Sequence, residues 1–113
     1  MTDILNDLYE LVEKRKAERE EGSYTAYLFD AGLDKILKKL GEECAETIIA
    51  AKNLEHSGDG SFCVQTRQDL LNESADLIFH LIVMLSELDV KPEEVEDILR
   101  ERMLKTGNLK PPR

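Results

Sequence analysis

Two acidic clusters in this sequence have the residue types and spacing to do chemistry. GEECAE brings Glu42, Glu43 and Glu46 together, and NESAD brings Glu73 and Asp76 together. At about 100° per residue, residues three apart share one face of an α-helix. Glu43 with Glu46, and Glu73 with Asp76, would each form a carboxylate pair, and two such pairs make one site if their helices are neighbours. Gathering four carboxylates in a partly desolvated cleft is costly through repulsion and lost hydration, and unaided it would force several to protonate. A divalent cation removes that cost. Carboxylates with no Cys and at most one His nearby favour Mg²⁺ or Mn²⁺ over zinc. Magnesium held by a few carboxylates shares its remaining positions with water and phosphate oxygens, so the expected ligand is a polyphosphate.

Residues that could serve such a ligand lie close by. Lys35 and Lys39 precede the first cluster by one to two turns and would meet phosphates, while Asn53 follows Glu46 by two turns and would meet a polar substrate group. Between Ala75 and Leu85 only Asp76 and His80 are polar, so Asp76 must have a partner. His80 either hydrogen-bonds within the bundle or contacts substrate or a carboxylate. Ala45, Ile49 and Ala50 flank one cluster, and Phe79, Val83 and Met84 flank the other, which implies that the acid face is covered. Lys39 and Glu43 form an ordinary i,i+4 pair worth about 0.2–0.5 kcal/mol. Tyr24 and Tyr27 belong either to the core or to a site wall, and spacing does not decide between them.

The elements that must position these groups are helical. Ile4, Leu5, Leu8, Leu11 and Val12 repeat at helical spacing behind Thr2 or Asp3 as a cap, and the solvated run KRKAEREE continues the first helix to Gly22. SYTAYLFDAG forms a short helix or turn closed by Gly32. Leu33, Ile36, Leu37, Leu40, Cys44, Thr47, Ile48 and Ala51 stripe a long helix ending near Glu55. The loop HSGDGSFC lacks the GxxxxGK[ST] pattern of a Walker loop. The next helix spans about Val64 to Leu88, and the last begins at Pro92 with Val95, Ile98, Leu99 and Met103 as its stripe. With no strand pattern, repeat or low-complexity tract, the expected class is all-α. The architecture would be a bundle of four main helices in one domain, residues 1–105, followed by an extended tail, 106–113.

Composition limits the functions available. The 113 residues carry a formal net charge of -9, which repels nucleic acid and anionic membranes over most of the surface. Three Tyr, three Phe and no Trp leave an aliphatic core. The apolar span from Leu77 is broken by His80 and ends at Glu87, short of the roughly 20 residues that cross a bilayer. No signal-peptide pattern opens the chain, so a cytoplasmic protein is expected. Cys44 and Cys63, separated by eighteen residues with no CxxC, indicate neither a disulfide framework nor zinc, and Cys44 is expected in the core. The long helices carry apolar residues on more than one face, more than one small bundle covers, so completion by dimerisation is expected.

EExxE followed by ExxD on successive helices resembles the all-α nucleoside triphosphate pyrophosphatases, the MazG-like superfamily. Within it, SYTAYLFDAGLDKILKKLGEECAETIIAAKN followed by ESADLIFHLIVML resembles the phosphoribosyl-ATP pyrophosphatase family of histidine biosynthesis, over Tyr9 to about Arg102. The resemblance implies Mg²⁺-dependent hydrolysis of the α–β phosphoanhydride of phosphoribosyl-ATP by a small intertwined homodimer. It implies metal ligation by Glu43, Glu46, Glu73 and Asp76, with Glu42 as a further ligand or water-orienting base. Many members end in a Gly-rich stretch and a Lys-Ala-Ser-Arg tail; this chain ends GNLKPPR, so no role carries over to Lys110 or Arg113. A first helix starting within four residues of the beginning leads us to expect no upstream cyclohydrolase domain and a single reaction step. Two alternatives remain at this point: a pyrophosphatase of free nucleoside triphosphates, and a non-enzymatic helical dimer whose acids bind a cation only for assembly.

Overall fold

The computed structural model describes residues 3–105, and these fold into five α-helices with no strand among them. The expected tail, 106–113, lies outside the described residues. Helix α1 spans Ile4–Ala17, α2 Tyr24–Ala31, α3 Leu33–Glu55, α4 Ser61–Glu87 and α5 Pro92–Lys105. The all-α expectation therefore holds, with the SYTAYLFDAG segment adding a fifth helix.

Local chemistry sets the helix ends. Asp3 and Ser23 cap α1 and α2 by accepting from the Asn6 and Ala26 amides at 3.3 and 3.2 Å. Gly32, at φ +95°, closes α2 and opens α3 at once, a conformation that an L side chain rarely adopts.

Two boundaries differ from the sequence expectation. Helix α1 stops at Ala17 instead of reaching Gly22. Beyond Lys16 the chain has no apolar face to bury, and the Arg19 guanidinium folds back onto the Lys16 carbonyl and Asp30 at 2.9 Å each. Helix α4 begins at Ser61, three residues before Val64, because Gly60 at φ +87° sets the break rather than the first apolar residue.

The core lies where α1, α2 and the second half of α4 meet. Tyr9, Val12, Leu28, Phe29, Ile36, Ile82 and Val83 form it, with Leu8, Phe79, Met84 and Leu85 packed around them. A polar clasp closes this end. The Lys16 ammonium donates to the Ser86 carbonyl at 2.8 Å, lies 3.0 Å from Glu13, and sits 5.7 Å from the centre of the Phe29 ring. A cation is favourable there, because the last carbonyls of α4 carry its negative helix end.

Helices α3 and α4 make the most extensive contact, as an antiparallel hairpin whose short connection brings the two acidic clusters level. Among the covered positions, one row on α3 runs Ile36, Leu40, Glu43, Thr47, Ala50 and Leu54, and one row on α4 runs Thr66, Leu70, Glu73, Leu77, His80, Met84 and Glu87. The alternating steps of four and three are those of a helix–helix seam. The expected α3 stripe is thus displaced. Leu37, Cys44 and Ile48 lie on the open side, and Cys44 is exposed rather than in the core. Among the described residues no helix is long and apolar enough to cross a membrane.

Candidate active site

Glu43 and Glu73 occupy the seam itself, opposite one another, where an ordinary pair of packed helices would place leucines. One carboxylate oxygen from each of Glu43, Glu73 and Asp76 lies within 4.8 Å of the others. The Glu46 carboxylate adjoins both Glu43 and Glu73 within hydrogen-bonding reach. All four acids singled out as ligands are thus brought together, two in the seam and two at its rim. Glu46 and Asp76 are exposed, so the expectation of a fully covered acid face is corrected: the seam closes over its centre and leaves its edge to solvent.

Thr47 braces the centre. Its hydroxyl donates to the Glu43 carbonyl at 2.7 Å, and the Glu73 carbonyl of the facing helix lies 3.2 Å away. A side chain of this size lets the two backbones approach and keeps the glutamates level.

The electrostatics follow from the packing. Burial, with the adjoining Glu46 carboxylate and the charges of Asp76 and Glu73, pushes the Glu43 carboxyl up to about 7. Contact with Glu46, then burial, raises Glu73 as well. Oε2 of Glu43 and Oε2 of Glu73 are buried and accept no hydrogen bond. Acceptors that face other acceptors need a proton or a cation between them, and a set of carboxylates alone suits a hard divalent cation. The residues present therefore fit Mg²⁺ or Mn²⁺.

The remaining candidates divide. Lys39 pairs with Glu42 at 3.2 Å, an i,i+3 contact, rather than with Glu43. Glu42 stands outside the acid group in consequence, and its carboxylate raises the Lys39 ammonium. Lys35, one turn earlier on the same side of α3, is half-buried. Asn53 lines a cleft of about 210 Å³ that begins at the acids, with Glu46, Ile49, Ala50, Asp69 and Glu73 as its other walls.

Of the two roles open to His80, the structure shows hydrogen bonds within the bundle. Only 4% of it is exposed, and both ring nitrogens are engaged: Nδ1 with the Asp76 carbonyl at 2.7 Å and Nε2 with the Tyr24 hydroxyl at 2.8 Å. The ring cannot reach a substrate directly.

One residue escaped sequence reasoning and another was left undecided by it. Asp69 stands one turn before Glu73 in the cleft wall, and its DxxxExxD spacing was a usable signal. Tyr24, undecided between core and site, is 45% exposed, bonds to His80, and feels the charges of Lys39, Glu43 and Asp76. Burial pushes its phenol up, with Lys39 opposing and Glu43 adding.

Comparison with known proteins agrees with this geometry. A protein of Clostridium novyi named phosphoribosyl-ATP pyrophosphatase is 42% identical over 111 residues, spanning 98% of this chain and 91% of its own length. Proteins of the same name from Listeria welshimeri and Streptococcus sanguinis are 50% identical over 99 residues and 47% identical over 106. The shares covered are 88% of this chain and 84% of the Listeria protein, and 94% and 91% for the Streptococcus protein. Residues 5–103 match the phosphoribosyl-ATP pyrophosphohydrolase family, and the chain belongs to it.

Proposed function

We propose that this protein is a cytoplasmic enzyme hydrolysing phosphoribosyl-ATP to phosphoribosyl-AMP and pyrophosphate, the second step of histidine biosynthesis, with Mg²⁺. The observation that carries this reading is the convergence of Glu43, Glu73 and Asp76 with two buried, unpaired carboxylate oxygens, in a chain of this family. Glu43, Glu46, Glu73 and Asp76 would hold the metal. When bound, it supplies positive charge to the phosphate oxygens and lowers the pKa of a bound water.

The chain's own groups do the rest. Lys35 and Lys39 bind phosphate oxygens. A phosphate competes with Glu42 for the Lys39 ammonium, and a freed Glu42 carboxylate takes the proton of the attacking water. The water oxygen bonds to phosphorus as the bridging P–O bond breaks, and its electron pair leaves with pyrophosphate. Asn53 and Asp69 line the cleft that leads on from the acids and would meet a polar group of the substrate there.

A homodimer completes the assembly. Ile48 and Ile49 on α3, and Phe62, Leu71, Ile78 and Leu81 on α4, are exposed apolar residues. The Cα radius of gyration is 16.7 Å, against about 13 Å for a compact domain of this length. Both features support a second copy against the open hairpin.

The test is pyrophosphate release from fresh phosphoribosyl-ATP, with and without Mg²⁺, beside dUTP, dCTP and ATP. Metal-dependent release confined to phosphoribosyl-ATP is expected. Release from the ordinary triphosphates instead would move the protein to nucleotide-pool cleansing, and silence from all would leave a non-catalytic assembly.

A further inference from the structure

The Tyr24–His80 pair has no part in the chemistry above, yet it is tied to the Asp76 backbone and lies within reach of the charges of Glu43 and Asp76. A backbone carbonyl only accepts, so the Nδ1 that meets the Asp76 carbonyl must carry a proton. A neutral imidazole carries one proton, so Nε2 is the acceptor and the Tyr24 hydroxyl the donor. Phe79 and Tyr24 stand edge-on to the imidazole, at 5.1 and 5.7 Å between ring centres, which fixes the ring plane. A buried histidine thus ties the first residue of α2 to the middle of α4.

That direction of donation has a chemical consequence. With its proton spent on His80, the Tyr24 oxygen offers only lone pairs to the site. A phosphate oxygen, itself an acceptor, gains nothing from it. A hydroxyl or amino group does. In the bound state the phosphates take the Lys39 ammonium, the other nearby donor whose charge acts on Tyr24, which leaves the Tyr24 lone pairs for a donor on the part of the substrate beside the phosphates. The exposed Tyr27 ring stands 6.2 Å from that of Tyr24 and extends the same wall.

We propose that Tyr24 is a specificity-determining contact, accepting a hydrogen bond from a hydroxyl or amino group of the nucleoside part of the substrate, and that His80 is the positioning residue that aims it. This rests on the pyrophosphohydrolase reading and assigns a substrate group within the same site. His80 acts through Tyr24 and never touches the ligand.

The experiment is steady-state pyrophosphate release from phosphoribosyl-ATP at saturating Mg²⁺ for wild type, Tyr24→Phe, His80→Gln, His80→Leu and the double variant Tyr24→Phe/His80→Leu. Thermal melting of each is measured beside it. Tyr24→Phe should raise KM about three- to tenfold, the worth of one hydrogen bond, with kcat nearly unchanged. His80→Leu should do the same, and the double variant should be no worse than the poorer single one, since both remove one interaction. His80→Gln places an amide oxygen near the Nε2 position and should recover most of the KM. An unchanged KM in Tyr24→Phe, or losses that multiply in the double variant, would overturn the proposal while the enzyme stands. If His80→Leu fails to fold, Tyr24→Phe and His80→Gln decide on the same terms. A wild-type chain that releases no pyrophosphate would overturn the underlying activity instead.

Discussion

The C-terminal end of α4 and its middle meet opposite environments. Near its C-terminus the Glu13 charge is matched: burial works against the carboxylate, but Lys16 and Tyr9 hydrogen bonds hold it below the ordinary range, and Lys16 also closes the helix end. Burial, with Glu13, pushes the Tyr9 phenol up to about 12, so it stays a donor. In the middle of the same helix, Glu73 faces Glu43 and both carboxyls are raised. The end is relaxed around Lys16, and the middle is strained electrostatically. The contrast separates what stabilises the fold from what the fold is made to hold, because the unfavourable packing of like charges survives on the apolar contacts made elsewhere.

The contrast can be broken from either side. Glu46→Gln keeps the shape of the rim but removes a charge that the metal and phosphates need, and turnover at saturating Mg²⁺ should fall about 10²–10³-fold with unchanged helical circular dichroism. Near wild-type turnover would remove Glu46 from the site. Leu28→Ala acts on the relaxed end: the side chain is fully buried in the core cluster, and its loss should cost about 2–5 kcal/mol in denaturant unfolding. Any remaining folded protein should keep its Mg²⁺ dependence.

The smallest effect sharpens the comparison through pH. In the metal-free protein the Glu43 carboxyl titrates near 7 when folded, against an ordinary value of 4.5. Between these values the folded chain keeps a proton that the unfolded chain has released. Stability is therefore fullest below the ordinary value and is lost as pH rises through 7. A loss on the order of 1 kcal/mol is expected, less than the whole shift implies, because the rim admits solvent. Melting with a chelator present should show the decline, Glu43→Gln should flatten it, and added Mg²⁺ should reverse it.

Helical spacing, caps and glycines were enough to read the five segments and the level of the acids, because those signals act within one or two turns. The face that each helix turns to its neighbour was not legible in the same way. The expected stripe held Leu40 and Thr47 correctly but added Leu37, Cys44 and Ile48 and left out Glu43, following the rule that apolar residues go inside, and here carboxylates occupy the seam. Lys39 had acids at both i+3 and i+4, and pattern alone does not choose between Glu42 and Glu43. His80 was read as polar in an apolar helix, but its partner lies 56 residues away on α2, a distance that no local period encodes.

The hairpin has one more consequence, for how the chain can be cut and rejoined. All four acids, Thr47, Asn53 and Asp69 lie on α3 and α4, joined by one short turn through Gly58 and Gly60. A circular permutant opened at that turn would assign the two carboxylate pairs to opposite ends of the polypeptide, and the site would assemble only after the whole chain had been made. In the natural order the second pair follows the first after a single reversal, so the cation site is complete before α5 has been synthesised.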